Sequence, residues 1–125
     1  MKLLFYMDFT QFKRSGVSIS GVCYVALPFG PAIDRWQLLL AWLEEERAIT
    51  VESNDEGHDY LFTESDFDAT VFAERELQVV GDIVSRLGSV TAKSLVNKSH
   101  AEDAFTKTES GQLISYEHAL TLTVS

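Results

Sequence analysis

The chain has 125 residues, of which 46% are hydrophobic and 23% charged, with a formal net charge of −9. That length and balance predict one domain spanning residues 1–125 with a core of its own, and they exclude a disordered chain. The acidic surplus repels phosphate backbones and argues against direct nucleic-acid binding; it suits a basic protein partner or simple solubility.

In chain order, the first helix is predicted from Leu3 to Lys13, with Phe5, Phe9 and Phe12 at i, i+4 and i+7 on one stripe. Lys13 and Arg14 suit its C-terminal dipole, and Gly16 ends it. Val17, Ile19 and Val22 to Leu27 read as a short strand, which Pro28, Gly30 and Pro31 stop. Cys23 lies in that strand and reads as a buried thiol in a reducing compartment.

A second helix is predicted from Asp34, with Asp34 and Gln37 spaced as a reciprocal cap. Trp36, Leu39, Leu40 and Leu43 give one apolar face, widened by Leu38 and Trp42, which predicts a central helix with neighbours on two sides. Glu44, Glu45 and Glu46 close it toward solvent. Ile49 to Glu52 and Tyr60 to Thr63 flank the turn Asn54-Asp55-Glu56-Gly57 and read as a hairpin. A third helix follows from Phe72 to Leu87, with Leu77, Val80, Val84 and Leu87 inward and Gly88 just beyond. Thr91 to Lys98 reads as a short helix. Ser99 and Glu102 have the spacing of a capping box for Ala101 to Phe105, and Ser115 caps a last helix with Tyr116, Ala119 and Leu120. The sum predicts an α+β fold, mostly helical, with a short N-terminal strand and a β-hairpin.

Catalytic and metal constellations are missing from the pattern. His58 falls in a turn, and His118 follows Glu117 in the last helix. No histidine pair has the i, i+4 spacing of a helical zinc site, and no second cysteine is present. His100 with Glu102 is the best catalytic candidate, yet the same residues read ordinarily as the organisers of a helix start. No metal, cofactor or membrane contact is therefore expected. No segment reaches transmembrane length, and the apolar start is cut short by Asp8, which predicts a cytoplasmic protein. Asp8 itself is an acid in an apolar, aromatic helix. Either a cation or backbone amide partners it, or it faces a groove that receives another protein. Trp36, Trp42, Phe29 and Tyr24 are of the types that anchor interfaces, although core packing also claims such side chains.

The run Lys2-Leu3-Leu4-Phe5-Tyr6-Met7-Asp8-Phe9, with Phe12, Gly16, Ser18-Ile19-Ser20-Gly21, Tyr24 and Ala26-Leu27-Pro28-Phe29-Gly30-Pro31, resembles the signature of the SocA-type, or Panacea, antitoxin domain family of bacterial and phage toxin–antitoxin systems. Glu76-Leu77, Ser99-His100-Ala101-Glu102 and Ile114-Ser115-Tyr116-Glu117-His118-Ala119-Leu120 follow in the family's order, so the resemblance spans nearly the whole chain. The sequence departs from the family pattern at Met7, Ala73 and Phe105. The resemblance implies an antitoxin that neutralises a cognate protein toxin by direct binding, without catalysis or cofactor. The contact candidates are Asp8, Tyr24, Phe29, Trp36 and His100. The alternatives are a proteolytic adaptor that delivers a toxin to a protease, and an enzyme using His100 and Glu102; homodimerisation stays open. Related domains carry helical residues ahead of the first motif, so this domain reads as a trimmed variant or as lacking an N-terminal element, and the Phe-rich helix, if uncovered, is expected to present an apolar patch of the kind that marks an interface.

Overall fold

The computed structural model describes residues 1–56, 59–63 and 66–123. In chain order these form α1 (Lys2–Ser15), β1 (Tyr24–Leu27), β2 (Gly30–Ile33), α2 (Trp36–Glu45), β3 (Ile49–Ser53), β4 (Asp59–Thr63), α3 (Glu74–Leu87), α4 (Ala92–His100) and α5 (Asp103–Thr106), with 3-10 turns at Ala69–Val71 and Tyr116–Thr121. The architecture is α+β and mostly helical, as the sequence predicts. Met1–Asp34 and Phe72–Ser125 make one compact unit, and Arg35–Val71 makes another.

The larger unit is built on α1. Gly16 ends this helix in the left-handed conformation, φ 78°, and its N–H reaches Phe12 O at 2.8 Å. Phe5 and Phe9 are fully buried. Phe5 meets Tyr24 edge-on with ring centres 5.5 Å apart, and Phe9 stacks on Tyr116 at 4.5 Å. The expected apolar patch on α1 is therefore absent, because the chain's own tyrosines cover the two phenylalanines. Val79, Ile83 and Leu87 of α3 complete this core with Ile114, Ala119 and Leu122. The inward stripe of α3 thus differs from the predicted one: Leu77 and Val80 are half-buried and Val84 is 50% exposed. Two apolar stripes on α3 satisfy the helical period, and only packing chooses between them.

Several end signals also resolve differently. β1 ends before Pro28 as predicted, but the Pro28-Phe29 corner turns the sheet, and Gly30 and Pro31 open a second strand. β1 and β2 pair antiparallel from Tyr24↔Ile33 to Leu27↔Gly30, and Pro31 lies inside β2 opposite Ala26. Pro31 is tolerated because β2 is an edge strand, where no partner needs its missing N–H. On the other side of β1, Val25 bridges Leu113, and Ile114 N–H donates to Tyr24 O at 2.8 Å. Cys23 is exposed, not buried: Tyr24 and Ala26 point inward, so alternation turns Cys23, Val25 and Leu27 outward. Ser99 and Glu102 form no capping box. Ser99 lies within α4 and donates to Val96 O at 2.8 Å, and Glu102 precedes α5 without a side-chain cap. Thr91 and Ser115 do cap their segments, accepting from Ser94 and Glu117 N–H, although the last segment is a 3-10 turn. At α3, Glu76 accepts from Ala73 N–H at 2.8 Å, half of a box whose other half alanine cannot supply. Gly88 ends α3 in a right-handed conformation.

In the smaller unit, β3 and β4 pair antiparallel from Ile49↔Thr63 to Ser53↔Asp59, the predicted hairpin. α2 departs from expectation. Its N-cap is Arg35 in the left-handed conformation, φ 54°, with no side-chain cap, and not the predicted Asp34. Arg47, just beyond the helix, is left-handed as well, φ 60°. The helix is not central: none of its residues is buried, and Leu38 and Trp42 are 65% and 55% exposed.

Burial pushes the phenols of Tyr6 and Tyr24 far above their ordinary range, reinforced by Glu102 and Asp8 respectively. Both are fully buried. The unfolded chain releases these protons near pH 10 while the folded chain holds them. Stability is thus complete below pH about 10 and falls as pH rises further, by about 1.4 kcal/mol per pH unit for each tyrosine. Lys2, lowered by burial, acts oppositely and is exhausted by pH about 10.5. Urea midpoints measured from pH 8 to about 11.5 should be level or rise slightly to about pH 10 and then drop steeply. A flat profile would show that the phenols are not held in a closed core.

Candidate functional site

Asp8 is fully buried in α1. Its Oδ1 accepts from Ile19 and Ser20 N–H at 2.9 and 2.8 Å, and its Oδ2 from the Ser20 and Tyr24 hydroxyls at 2.6 and 2.7 Å. Four donors saturate the carboxylate, so burial does not leave it orphaned. Of the two sequence readings of Asp8, the backbone-amide partner is the one observed. The bond fixes the Ser18–Gly21 loop and the start of β1 against α1. Tyr24, another contact candidate, is inside this same network.

The hairpin that follows is clamped from below. Pro28 and Phe29 make the bend, and Gly30 closes it at φ 101°, a conformation that glycine adopts without strain. A Cβ on Gly30 would fall 2.5 Å from Ser99 Oγ and 3.1 Å from Lys2 Cε. Lys2 Nζ donates to Pro31 O at 2.8 Å, and His100 Nε2 lies 3.0 Å from Pro28 O. The His100 ring stacks on Phe105 with centres 4.6 Å apart. Glycine is thus required here both by backbone conformation and by the close approach of α4.

This arrangement presents Phe29, 75% exposed, at a tip whose base is held by α1 and α4. Beside it opens a pocket of about 440 Å³, lined among others by Leu27, Pro28, His100, Phe105, Thr108 and Ser110. Leu27 and Leu113 add exposed apolar surface, 41% and 59%. Phe29 and His100 are therefore brought to one place, whereas Asp8 and Tyr24 lie in the interior and Trp36 belongs to the Arg35–Val71 unit.

The second buried acid, Glu102, does not orient His100. It accepts from the Tyr6 hydroxyl at 3.3 Å and from the Thr123 N–H and hydroxyl, with Lys98 Nζ 3.9 Å away. Its work is to fasten α1 to the C-terminal segment. His118 is half-buried in the last 3-10 turn, and His58 lies outside the described residues. Among the described residues no group of three or more His, Cys, Asp or Glu could hold a metal ion, and no helix is long and apolar enough to cross a membrane. Sequence reasoning missed Lys2, Gly30, Ser99 and Phe105 as builders of the surface. The Pro-Phe-Gly-Pro spacing held the signal for Gly30, since a type I turn led by proline at i+1 favours glycine at i+3.

The family model for the antitoxin SocA-like, Panacea domain matches residues 1–105, and the chain belongs to that family. Neither the curated proteins nor the solved structures contain a match.

Removing the Asp8 carboxylate strands buried donors, so Asp8→Ala should cost about 3–5 kcal/mol in urea denaturation. Tyr24→Phe, which removes one donor only, should cost about 1–2 kcal/mol. Equal losses from the two would deny Asp8 its organising role. Gly30→Ala should destabilise by about 2–4 kcal/mol, through both the clash and the positive φ. Adding Ser99→Ala should recover part of that loss, and additive losses would contradict the close approach.

Proposed function

We propose that this antitoxin-family protein neutralises a cognate protein toxin by binding it directly through the β1–β2 hairpin tip and the pocket beside it. Membership in the SocA-like Panacea family supports a toxin–antitoxin role. One observation carries the mode of action: Phe29 stands 75% exposed on a turn fixed by Gly30, Lys2 and His100. An aromatic side chain on a mobile loop loses conformational freedom when it binds; on a pre-organised turn that cost is small. Phe29 is therefore the anchor. The pocket edged by His100 and Phe105 receives a side chain of the toxin, and Leu27 and Leu113 widen the apolar contact. Asp8 and Tyr24 serve the interface from inside, by holding the start of β1 in place. Masking needs no bond to be made or broken, which fits a site with an anchor and a pocket.

Coexpression with the toxin encoded beside this gene should restore growth, and the two proteins should copurify. Phe29→Ser, a surface change, should leave thermal unfolding unaltered, abolish rescue and weaken binding at least about tenfold. Absence of both rescue and complex for the unaltered protein would sink the proposal; full rescue by Phe29→Ser would move the contact elsewhere.

A further inference from the structure

The net charge of the chain is not spread evenly. Arg35–Val71 holds ten acids against two arginines, a net of −8, while the rest of the chain holds nine acids against eight lysines and arginines, a net of −1. The eight acids of this unit whose side chains are described are all exposed. The same unit displays apolar surface. On α2, Leu38 and Trp42 stand at i, i+4 with Ala41 and Glu45 beside them, all exposed, while Trp36, Leu39, Leu40 and Leu43 on the opposite side are half-buried. Phe62 and Val71 are 51% and 70% exposed. Exposed aromatic and aliphatic side chains on one helix face, rimmed by carboxylates, are the pattern of a helix that docks in a groove.

We infer that Arg35–Val71 is a docking element for a basic protein surface, with Leu38 and Trp42 entering a groove and Glu44, Glu45 and Glu46 pairing with lysines and arginines at its rim. Charge selects this occupant. A second copy of the chain would bring −8 against −8, and nucleic acid or an anionic membrane would be repelled in the same way. A cationic protein is attracted over long range and then held by the apolar stripe. The inference rests on the toxin-binding reading and adds the chemistry of the partner: the toxin presents a basic groove.

The test uses the full chain and the toxin encoded beside its gene, with binding followed by biolayer interferometry. The unaltered complex should weaken at least about tenfold between ~0.05 and ~0.5 M NaCl, and heparin should compete for the toxin. Leu38→Ser with Trp42→Ser should weaken binding about thirtyfold or more, with circular dichroism unchanged because both side chains are exposed. Glu44→Gln, Glu45→Gln and Glu46→Gln together, which remove only solvated charge, should slow association and flatten the salt dependence. A complex that ignores salt and heparin and is untouched by either variant overturns this inference alone. A toxin that does not bind the unaltered chain overturns it together with the reading on which it rests.

Discussion

A buried carboxylate with four donors is the constraint on which the larger unit depends. Asp8 cannot leave water unless Ile19, Ser20 and Tyr24 are in place to receive it. Those partners lie eleven, twelve and sixteen residues along the chain. Packing α1 and ordering the loop after it are therefore one event, because either alone leaves polar groups dry and unpaired. Glu102 repeats the device at longer range, joining Tyr6 of α1 to Thr123 near the other end of the chain. Between them lies a cluster of aromatic rings in which Phe5, Phe9, Tyr24 and Tyr116 meet mostly edge-on or stacked. The two acids fix register and direction within a core that apolar contact alone would specify loosely.

That rigidity is passed outward along β1. Tyr24 and Ala26 point into the core, so Val25 and Leu27 are turned to the surface, and the bend beyond them is held by Lys2, Ser99 and His100. The edge of β2 is occupied by Lys2, which reaches Pro31 O, and Pro31 itself has no N–H to offer. The hairpin thus avoids pairing with a foreign strand through that edge and offers side chains instead. On the proposed reading, a tip that binds through Phe29 and a pocket would discriminate by shape, whereas an open strand edge would accept many sequences.

How much of this was legible follows from the range of each interaction. The Phe5, Phe9, Phe12 spacing, the Gly16 stop and the β3–β4 hairpin are local signals, and all are realised. Ser99 with Glu102 also had a local signal, yet both were taken by distant partners: Ser99 packs under Gly30, and Glu102 binds Tyr6 and Thr123. The start signal at Asp34 fell one residue short, because the cap position is taken by a left-handed Arg35. The α3 stripe was ambiguous in period and was decided by tertiary contact. At the site, Phe29 and His100 were legible as residue types, but their meeting depends on the His100–Pro28 bond across seventy-two residues, which no spacing rule reaches.

The partition of charge separates two physical tasks within one chain. A net of −1 in the larger unit lets it carry buried acids and a dense aromatic core without adding self-repulsion. A net of −8 over the thirty-seven residues of Arg35–Val71 opposes compaction there, and the exposed Leu38 and Trp42 show apolar surface that this unit leaves open. Left-handed arginines before and after α2 add backbone strain of about 1 kcal/mol each. Repulsion, open apolar surface and strain all weigh against the isolated state of this unit. The proposed basic partner would relieve the first two together, by neutralising the carboxylates while covering the helix face. The features that weigh against Arg35–Val71 alone are therefore those that the proposed docking would relieve.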